Sequence, residues 1–213
     1  PILENIQALD MDVSRVASGE FLLHHAVGSP CAVNDFAPLE TVLSPNATKR
    51  VAAAGGRPTN SDMSYFNLEF PNKHGIIVAV GWPGQWASSW IRDGGTGLRV
   101  VAGQELTHFK LLPGEEVRSP LIVLQFWSSG DWIRAQNIWR RWMLAHNVPK
   151  SNGKDMEPYM FGCSSPFYLE MCKANEENQL AFINRYLEEE IKIDYWWMDA
   201  GWYPCVPMGW WQT

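Results

Sequence analysis

The stretch Ser64-Tyr65-Phe66-Asn67-Leu68-Glu69-Phe70-Pro71-Asn72-Lys73-His74-Gly75-Ile76-Ile77-Val78-Ala79-Val80 decides the fold class of most of the chain. Residues 64–70 alternate in polarity, as a strand with one buried face does. Residues 75–80 form an apolar run, which indicates a strand buried on both faces. Pro71 and Asn72 provide a turn signal between the two runs. The stretch therefore predicts two strands joined by a turn.

Similar short runs lie on both sides of this stretch and are separated by turn residues. They span residues 20–25, 97–101, 106–111 and 118–126. Closely spaced short strands with this punctuation are typical of a sandwich of two sheets. Residues 1–130 are therefore predicted to form a mainly antiparallel β-sandwich.

The spacing of the apolar residues changes from that of strands to that of a helix at Asp131. Apolar side chains then recur with helical spacing at Trp132, Ala135, Trp139, Trp142 and Met143. Asp131 can cap this helix, which is predicted to end near His146, before Pro149. Residues 131–158 are thus assigned to a helical connection and a polar linker.

Residues 159–213 contain the order strand, helix, strand. The two strands are predicted at 159–163 and 193–198, and Asn175 is the candidate N-cap of the helix between them. A βαβ unit implies a parallel sheet. A (β/α)8 barrel needs about 250 residues, so these residues would form only its beginning.

Composition and motifs narrow the function classes. A net charge of −6 argues against a nucleic-acid partner, and no apolar run is long enough for a transmembrane helix. The four cysteines lack zinc-site spacing, and no phosphate-binding glycine motif follows a strand, so neither a metal nor another cofactor is expected. No signal peptide is visible, and because the sequence begins at Pro1 we expect a processed or cut N-terminus. The compartment is left open.

The chain contains 12 tryptophans, and aromatic faces suit the apolar faces of sugars. Two loops of the predicted sandwich carry suitable groups. Residues 81–86 place Trp82 and Trp86 beside a Pro-Gly turn, and residues 55–62 offer Arg57 and Asp62. These loops either bind a ligand or fill a domain interface, and the residues alone do not separate the two interpretations.

Asp199 is the candidate in the parallel part of the chain. It ends the second predicted strand, and functional groups of parallel α/β domains gather at such ends. Its carboxylate can accept hydrogen bonds from sugar hydroxyls, with Trp202 stacking nearby, or it can cap the following turn. Asp194, earlier in the strand, is interpreted as a structural residue.

These motifs, in this order, resemble the α-galactosidases of glycoside hydrolase family 36. The stretch Gly81-Trp82-Pro83-Gly84-Gln85-Trp86 is similar to the family's Gly-Trp-Ser-Gly-Asn-Trp. Residues 109–116, the 120–127 strand and the Trp-rich helix follow in the family's order. Trp197-Met198-Asp199-Ala200-Gly201-Trp202-Tyr203 is similar to Leu-Asp-Asp-Gly-Trp-Phe at the end of the second barrel strand. The resemblance covers nearly the whole chain.

The resemblance implies an N-terminal β-sandwich followed by a catalytic TIM barrel, which this chain only begins. It implies metal-free retaining hydrolysis of terminal α-linked galactose by two aspartates on later barrel strands, so no catalytic residue is expected in this chain. Asp199 matches the first of two adjacent aspartates that bind galactose hydroxyls, and Trp202 matches the aromatic residue beside them. The expected partner is an oligosaccharide or α-glycoside, and a homo-oligomer is left open.

Two departures bear on the sugar. Ala200 replaces the second aspartate of the pair, and Ser164-Ser165-Pro166-Phe167 replaces the family's Trp-Glu after the first barrel strand. A lost carboxylate removes a charge-assisted hydrogen bond worth about 1.5–3 kcal/mol. Related α-glycosides therefore remain open as substrates. A non-catalytic carbohydrate-binding sandwich and a galactosyl transferase of the same fold are the alternative functions.

The chain by itself is predicted to be catalytically inactive, because the implied nucleophile and acid/base lie beyond Thr213. Purified protein incubated with a chromogenic α-galactoside should release no more chromophore than buffer. Turnover that a single substitution within residues 1–213 abolishes would refute this prediction.

Overall fold

The computed structural model describes residues 1–164 and 173–199, and the chain divides into two compact units, Pro1–Asn147 and Val148–Thr213. The first unit holds the strands of the predicted sandwich. They are β1 (Ile6–Ser14), β2 (Phe21–Ala26), β3 (Pro38–Leu43), β4 (Thr48–Ala52), β5 (Tyr65–Phe70), β6 (His74–Gly81), β7 (Trp86–Arg92), β8 (Gly97–Gln104) and β9 (Leu121–Ser128).

Two antiparallel sheets face each other in this unit. One has the strand order β1-β8-β7-β4 and the other β3-β2-β5-β6-β9. Their inner faces share one apolar core, whose largest fully buried side chains include Trp86, Trp90, Phe21 and Phe66. The prediction of an antiparallel sandwich in this part of the chain is confirmed.

Strand β6 is buried on both faces, as its continuous apolar run predicts. Ile76, Val78 and Val80 belong to the core between the sheets. Ile77 and Ala79 point the other way, into a second apolar cluster on the outer face of the five-stranded sheet. The sheet therefore needs a further layer on its outer side.

Helix α1 (Trp132–His146) supplies that layer. Asp131 caps it, since its carboxylate accepts a hydrogen bond from the Arg134 backbone N–H at 2.8 Å. The buried side chains Ala135 and Trp139 pack with Ile77 and Ala79 of β6. The predicted start and end of this helix are confirmed, and the helix belongs to the same compact unit as the sandwich.

Asn67 is the buried polar side chain that links the sheet to the helix. Asn67, fully buried on β5, accepts a hydrogen bond from Trp127 Nε1 at 2.8 Å and donates to the Trp132 carbonyl at 3.1 Å. Its amide thus joins three parts of the fold: β5, β9 and the start of α1. Burial of an amide is tolerated only when such bonds replace those to water.

The guanidinium of Arg92 is also removed from solvent. It pairs with Glu20 at 2.9 Å, donates to the Leu43 carbonyl at 3.1 Å and lies 5.2 Å from the centre of the Phe21 ring. These groups link the ends of strands from both sheets. The charge is compensated where it is buried, so its role is structural.

The second unit contains a small hairpin and a βαβ element. The hairpin pairs β10 (Lys150–Ser151) with β11 (Lys154–Asp155), inside the segment predicted as a linker. Strands β12 (Phe161–Gly162) and β13 (Tyr195–Trp196) pair in parallel, with α2 (Glu176–Glu188) between them in the sequence.

Helix α2 begins as the sequence predicts. Asn175 and Asn178 form a reciprocal capping box, and Trp196 Nε1 donates to Gln179 Oε1 at 2.8 Å, which ties β13 to the helix. The predicted parallel strand-helix-strand order is present in the described residues.

One strand prediction is wrong. Residues 106–111 form a single bridge, Leu3 to Phe109, instead of a strand. Leu106 has a positive φ of 56° and is 81% exposed, so the backbone leaves the extended conformation where the strand would begin. No strand was predicted at β1, β3, β4 or β7, although residues 9–14 of β1 alternate in polarity.

Replacement of Asn67 by alanine should lower the free energy of unfolding by about 1–3 kcal/mol, because the Trp127 indole N–H loses its buried acceptor. Urea denaturation measures the change. Asn137→Ala is the matched control: Asn137 lies exposed on α1, and its loss should change stability by less than about 0.5 kcal/mol. Equal effects of the two substitutions would contradict the assigned role of Asn67.

Candidate functional site

The two loops singled out in the sandwich lie against each other. The link is Gln85, whose Oε1 accepts the Gly56 N–H at 3.0 Å. Its Nε2 donates to the Ala53 carbonyl at 2.5 Å and to Glu105 Oε1 at 2.8 Å. The structure thus brings residues 53–60 and 82–86 together at one end of the sandwich.

Trp86 does not present a face to a ligand in this structure. Its side chain is fully buried between the sheets, edge-on to Phe66 at a centroid distance of 5.9 Å. Its Nε1 donates to the Pro58 carbonyl at 2.7 Å, which holds the neighbouring loop. The burial corrects the expectation that Trp86 stacks on a sugar: Trp86 is the first residue of β7, and strand alternation turns it toward the core.

Trp82 is placed differently. It is half-buried and packs against the edge of the sandwich core, which leaves part of the indole accessible. A Cβ atom at Gly84 would lie 3.2 Å from Trp82 Nε1, so glycine at that position makes room for the ring. Trp82 is therefore the member of the pair whose surface a ligand can reach.

Arg57 and Asp62 lie on the partner loop. Arg57 is exposed at a turn closed by hydrogen bonds between the backbones of residues 54, 57 and 60. Asp62 is half-buried, accepts a hydrogen bond from Ser61 Oγ at 3.0 Å and pairs through its backbone with Val27. The structure brings Arg57 to the same loop pair as Trp82, whereas Asp62 lies where the loop returns to β2.

The negative charge of Asp62 influences the pKa of His25. Burial lowers the pKa of His25, and the positive charge of Lys49 lowers it further, whereas Asp62 opposes both effects. His25 Nε2 lies 3.0 Å from Thr41 Oγ1. Both His24 and His25 are buried, so neither is an exposed general acid or base.

In the second unit, Asp199 is exposed and follows the end of β13. Because β12 and β13 are parallel, their carboxyl ends lie at the same edge, and Asp199 is on the chain leaving that edge. Trp202 and Ala200 lie outside the described residues. The chemistry that this placement offers is an ionised acceptor for hydroxyl groups.

Asp194 has the structural role expected for it. Its Oδ2 accepts the Met160 backbone N–H at 2.9 Å, and the Asp194 N–H donates to the Met160 carbonyl at 2.8 Å. The Met160 N–H lowers the pKa of the Asp194 carboxyl, with a further contribution from Lys192. Asp194 therefore links the residues that immediately precede β12 and β13.

The structure also contains a cavity that the sequence did not predict. It has a volume of about 850 Å³ and lies between α1 and strands β2, β3 and β5. The tryptophans of α1 were a usable signal, because Trp132 and Trp139 lie on one helical stripe. The lining comprises His24, His25, Ala26, Phe36, Pro38, Leu39, Glu40, Met63, Tyr65, Trp132, Gln136, Trp139, Arg140, Met143 and Leu144.

Residues 1–164 and 173–199 contain no cluster of three or more His, Cys, Asp or Glu side chains able to hold a metal ion. In the same residues, no helix has the length and apolar character needed to cross a membrane.

Comparison with solved structures identifies the fold. The chain is similar to the galactosidase domain of the α-galactosidase-sucrose kinase AgaSK, with a TM-score of 0.74 and 16% identity over 95% of this chain and 27% of that one. The α-galactosidase from Lactobacillus brevis gives a TM-score of 0.68 and 13% identity over 95% of this chain and 26% of that one.

The family 36 α-galactosidase AgaA from Geobacillus stearothermophilus (A355E D548N), in complex with raffinose, gives 0.68 and 15% identity over 91% of this chain and 26% of that one. The chain spans about a quarter of the length of these proteins. No family model and no curated protein matches the sequence. At these identities the likeness establishes the fold, a sandwich as found in family 36 α-galactosidases.

Gln85→Ala should detach the loop at residues 55–60, because the Gly56 N–H and the Ala53 carbonyl lose their partner. We expect a loss of about 1–2 kcal/mol in the free energy of unfolding and faster hydrogen exchange at the Gly56 amide, followed by NMR. Gln7→Ala is the control, since the Gln7 amide is exposed on β1. Exchange at Gly56 that is equally slow in both variants would show that Gln85 does not hold the loop.

Proposed function

We propose that this chain is the N-terminal part of a retaining glycoside hydrolase that cleaves terminal α-linked galactose or a related α-glycoside. The observation that carries the proposal is the match to α-galactosidase structures over 95% of the chain, from the sandwich through to the parallel strands. The motif around Asp199, similar to the sugar-binding corner of family 36, supports the same assignment from the sequence.

In this proposal, residues 1–130 are the sandwich domain, residues 131–158 the connection, and residues 159–213 the beginning of a (β/α)8 barrel. Strands β12 and β13 would be the first two barrel strands, which is in keeping with their parallel pairing. Barrel enzymes bind substrate at the carboxyl ends of their strands, the edge where Asp199 emerges.

In the second unit, sugar recognition is assigned to Asp199 and Trp202. In the first unit, Trp82, Arg57 and Asp62 are assigned a sugar-binding role of their own. Asp199 would accept hydrogen bonds from ring hydroxyls, and an ionised carboxylate makes these bonds stronger than a neutral amide does. The exposed Arg57 and the accessible part of Trp82 would contribute a guanidinium donor and an apolar face. Trp86 is buried in the core beneath these two loops, so it is not assigned a contact with the sugar.

Bond cleavage itself is assigned to residues beyond this chain. Retention requires two carboxyl groups about 5–5.5 Å apart, one a nucleophile and the other a general acid that becomes a general base. The residues described here would orient the non-reducing sugar while those groups act. Two variants of the structurally similar α-galactosidase AgaA from Geobacillus stearothermophilus were solved in complex with raffinose and with stachyose. Oligosaccharides of this kind are therefore the substrates to test first.

Asp199→Asn, introduced into the longer enzyme that this proposal implies, should reduce kcat/KM by about 10–150-fold, equivalent to about 1.5–3 kcal/mol of transition-state stabilisation. Steady-state kinetics over a panel of α-glycosides measures the loss. Ala200→Asp should shift preference toward unsubstituted α-galactosides, because it restores the second carboxylate of the family pattern.

Asp194→Asn is the matched control in the same segment. Its carboxylate faces the Met160 backbone instead of the exposed edge, so the substitution should lower the melting temperature and leave kcat/KM nearly unchanged. Unchanged kcat/KM in Asp199→Asn on the best substrate would show that Asp199 only caps a turn.

A further inference from the structure

The cavity beneath α1 is a second binding site candidate, independent of the proposed glycosidase function. It lies wholly within the first unit, between the helix and the outer face of β2, β3 and β5. Its volume of about 850 Å³ falls in the range that small-molecule sites occupy, about 300–1,000 Å³.

The walls of the cavity are mainly apolar and aromatic. Trp132 and Trp139 come from the helix, Leu39 from β3, and Tyr65 from β5, with Met63 shortly before that strand. Trp139 is 5% exposed and Trp132 is stacked on the His24 ring at 4.3 Å, so both indoles are held in place before any ligand arrives. A preorganised apolar wall of this kind favours a hydrophobic ligand.

The charged groups on the lining differ in how they are engaged. Glu40 Oε2 lies 3.4 Å from His24 Nδ1, and His24 Nε2 lies 2.9 Å from Glu69. Arg140, by contrast, forms no ion pair with any residue in 1–164 or 173–199. The lining therefore offers one uncommitted cation beside an apolar wall.

The loop between β2 and β3 closes one side of the cavity. Asp35 orders it by accepting hydrogen bonds from Ser29 Oγ at 2.8 Å and from the Ala32 N–H at 2.9 Å. Phe36 follows with a positive φ of 63° and a side chain 61% exposed. A bulky residue in that conformation is strained, and an exposed phenylalanine at the rim gains by covering an apolar ligand.

We infer that this cavity binds a small apolar anion, such as an aryl or short-chain carboxylate or sulfonate. The apolar part lies against Trp132, Trp139 and Leu39, and the acid group pairs with Arg140. A sugar fits less well, because its hydroxyls need several partners and the uncommitted polar groups of the lining are few.

The test uses a pair of fluorescent probes that differ chiefly in charge. The anionic probe is 1-anilinonaphthalene-8-sulfonate, and its uncharged counterpart is N-phenyl-1-naphthylamine. The 213-residue protein should bind the sulfonate at one saturable site, about fivefold more tightly than the neutral probe. Energy transfer from tryptophan to the bound probe should accompany saturation.

Two substitutions and one control locate the site. Arg140→Gln should weaken sulfonate binding about fivefold and leave the neutral probe unaffected. Leu144→Asp places a carboxylate on the lining at an exposed helical position, one turn from Arg140, and should weaken the sulfonate further. Arg141→Gln removes the neighbouring charge, which does not line the cavity, and should change neither affinity.

The inference is overturned if Arg140→Gln and Arg141→Gln bind the sulfonate equally well, or if the two probes bind wild-type protein with the same affinity. Sedimentation tests the other occupant. A dimer that Leu144→Asp dissociates would show that a second copy of the chain covers the cavity. None of these results depends on glycosidase activity, so the proposed function stands or falls separately.

Discussion

Burial of both faces of β6 is the constraint on which the first unit depends. The inner side chains of this strand complete the core between the two sheets, and Ile77 and Ala79 require cover on the outer side. Strand β6 also passes close to its neighbours: a Cβ at Gly75 would lie 2.1 Å from the Leu68 carbonyl and 2.7 Å from the Trp127 ring. Only glycine allows this approach. The pairing of β6 with β5 and β9 and the position of the Trp127 ring therefore both depend on Gly75.

The helix follows from that constraint. Its tryptophans cover apolar surface that would otherwise face water, and Asn67 converts the contact into a specific one by bonding both Trp127 and the Trp132 carbonyl. Apolar burial provides most of the free energy, at about 25 cal/mol per Å². The hydrogen bonds add less, but they decide where along the sheet the helix begins.

The same layer creates the cavity. Strands β5 and β6 receive the buried stripe of α1, whereas β2 and β3 lie farther along the sheet, where the helix leaves space beside Trp132 and Trp139. At the loop pair formed by residues 53–60 and 82–86, packing removes a candidate side chain from the surface. Trp86 was drawn into the core by strand alternation, so its function is to support a loop, and the exposed chemistry there rests on Arg57 and part of Trp82.

The sequence by itself determined the elements whose signals are local. Apolar periodicity identified β5, β6, α1 and α2, and the side chains of Asp131 and Asn175 marked the helix starts, because capping involves residues only three positions apart. Asp194 was likewise interpreted correctly as structural. Strands β1, β3, β4 and β7 were not predicted. Polar side chains interrupt the apolar pattern of β3, β4 and β7, whereas residues 9–14 of β1 do alternate in polarity. Tertiary structure alone decided that Trp86 is buried, that Gln85 joins two loops, and that a cavity forms beneath α1. Each of these depends on pairing between residues distant in the chain, which local sequence does not encode.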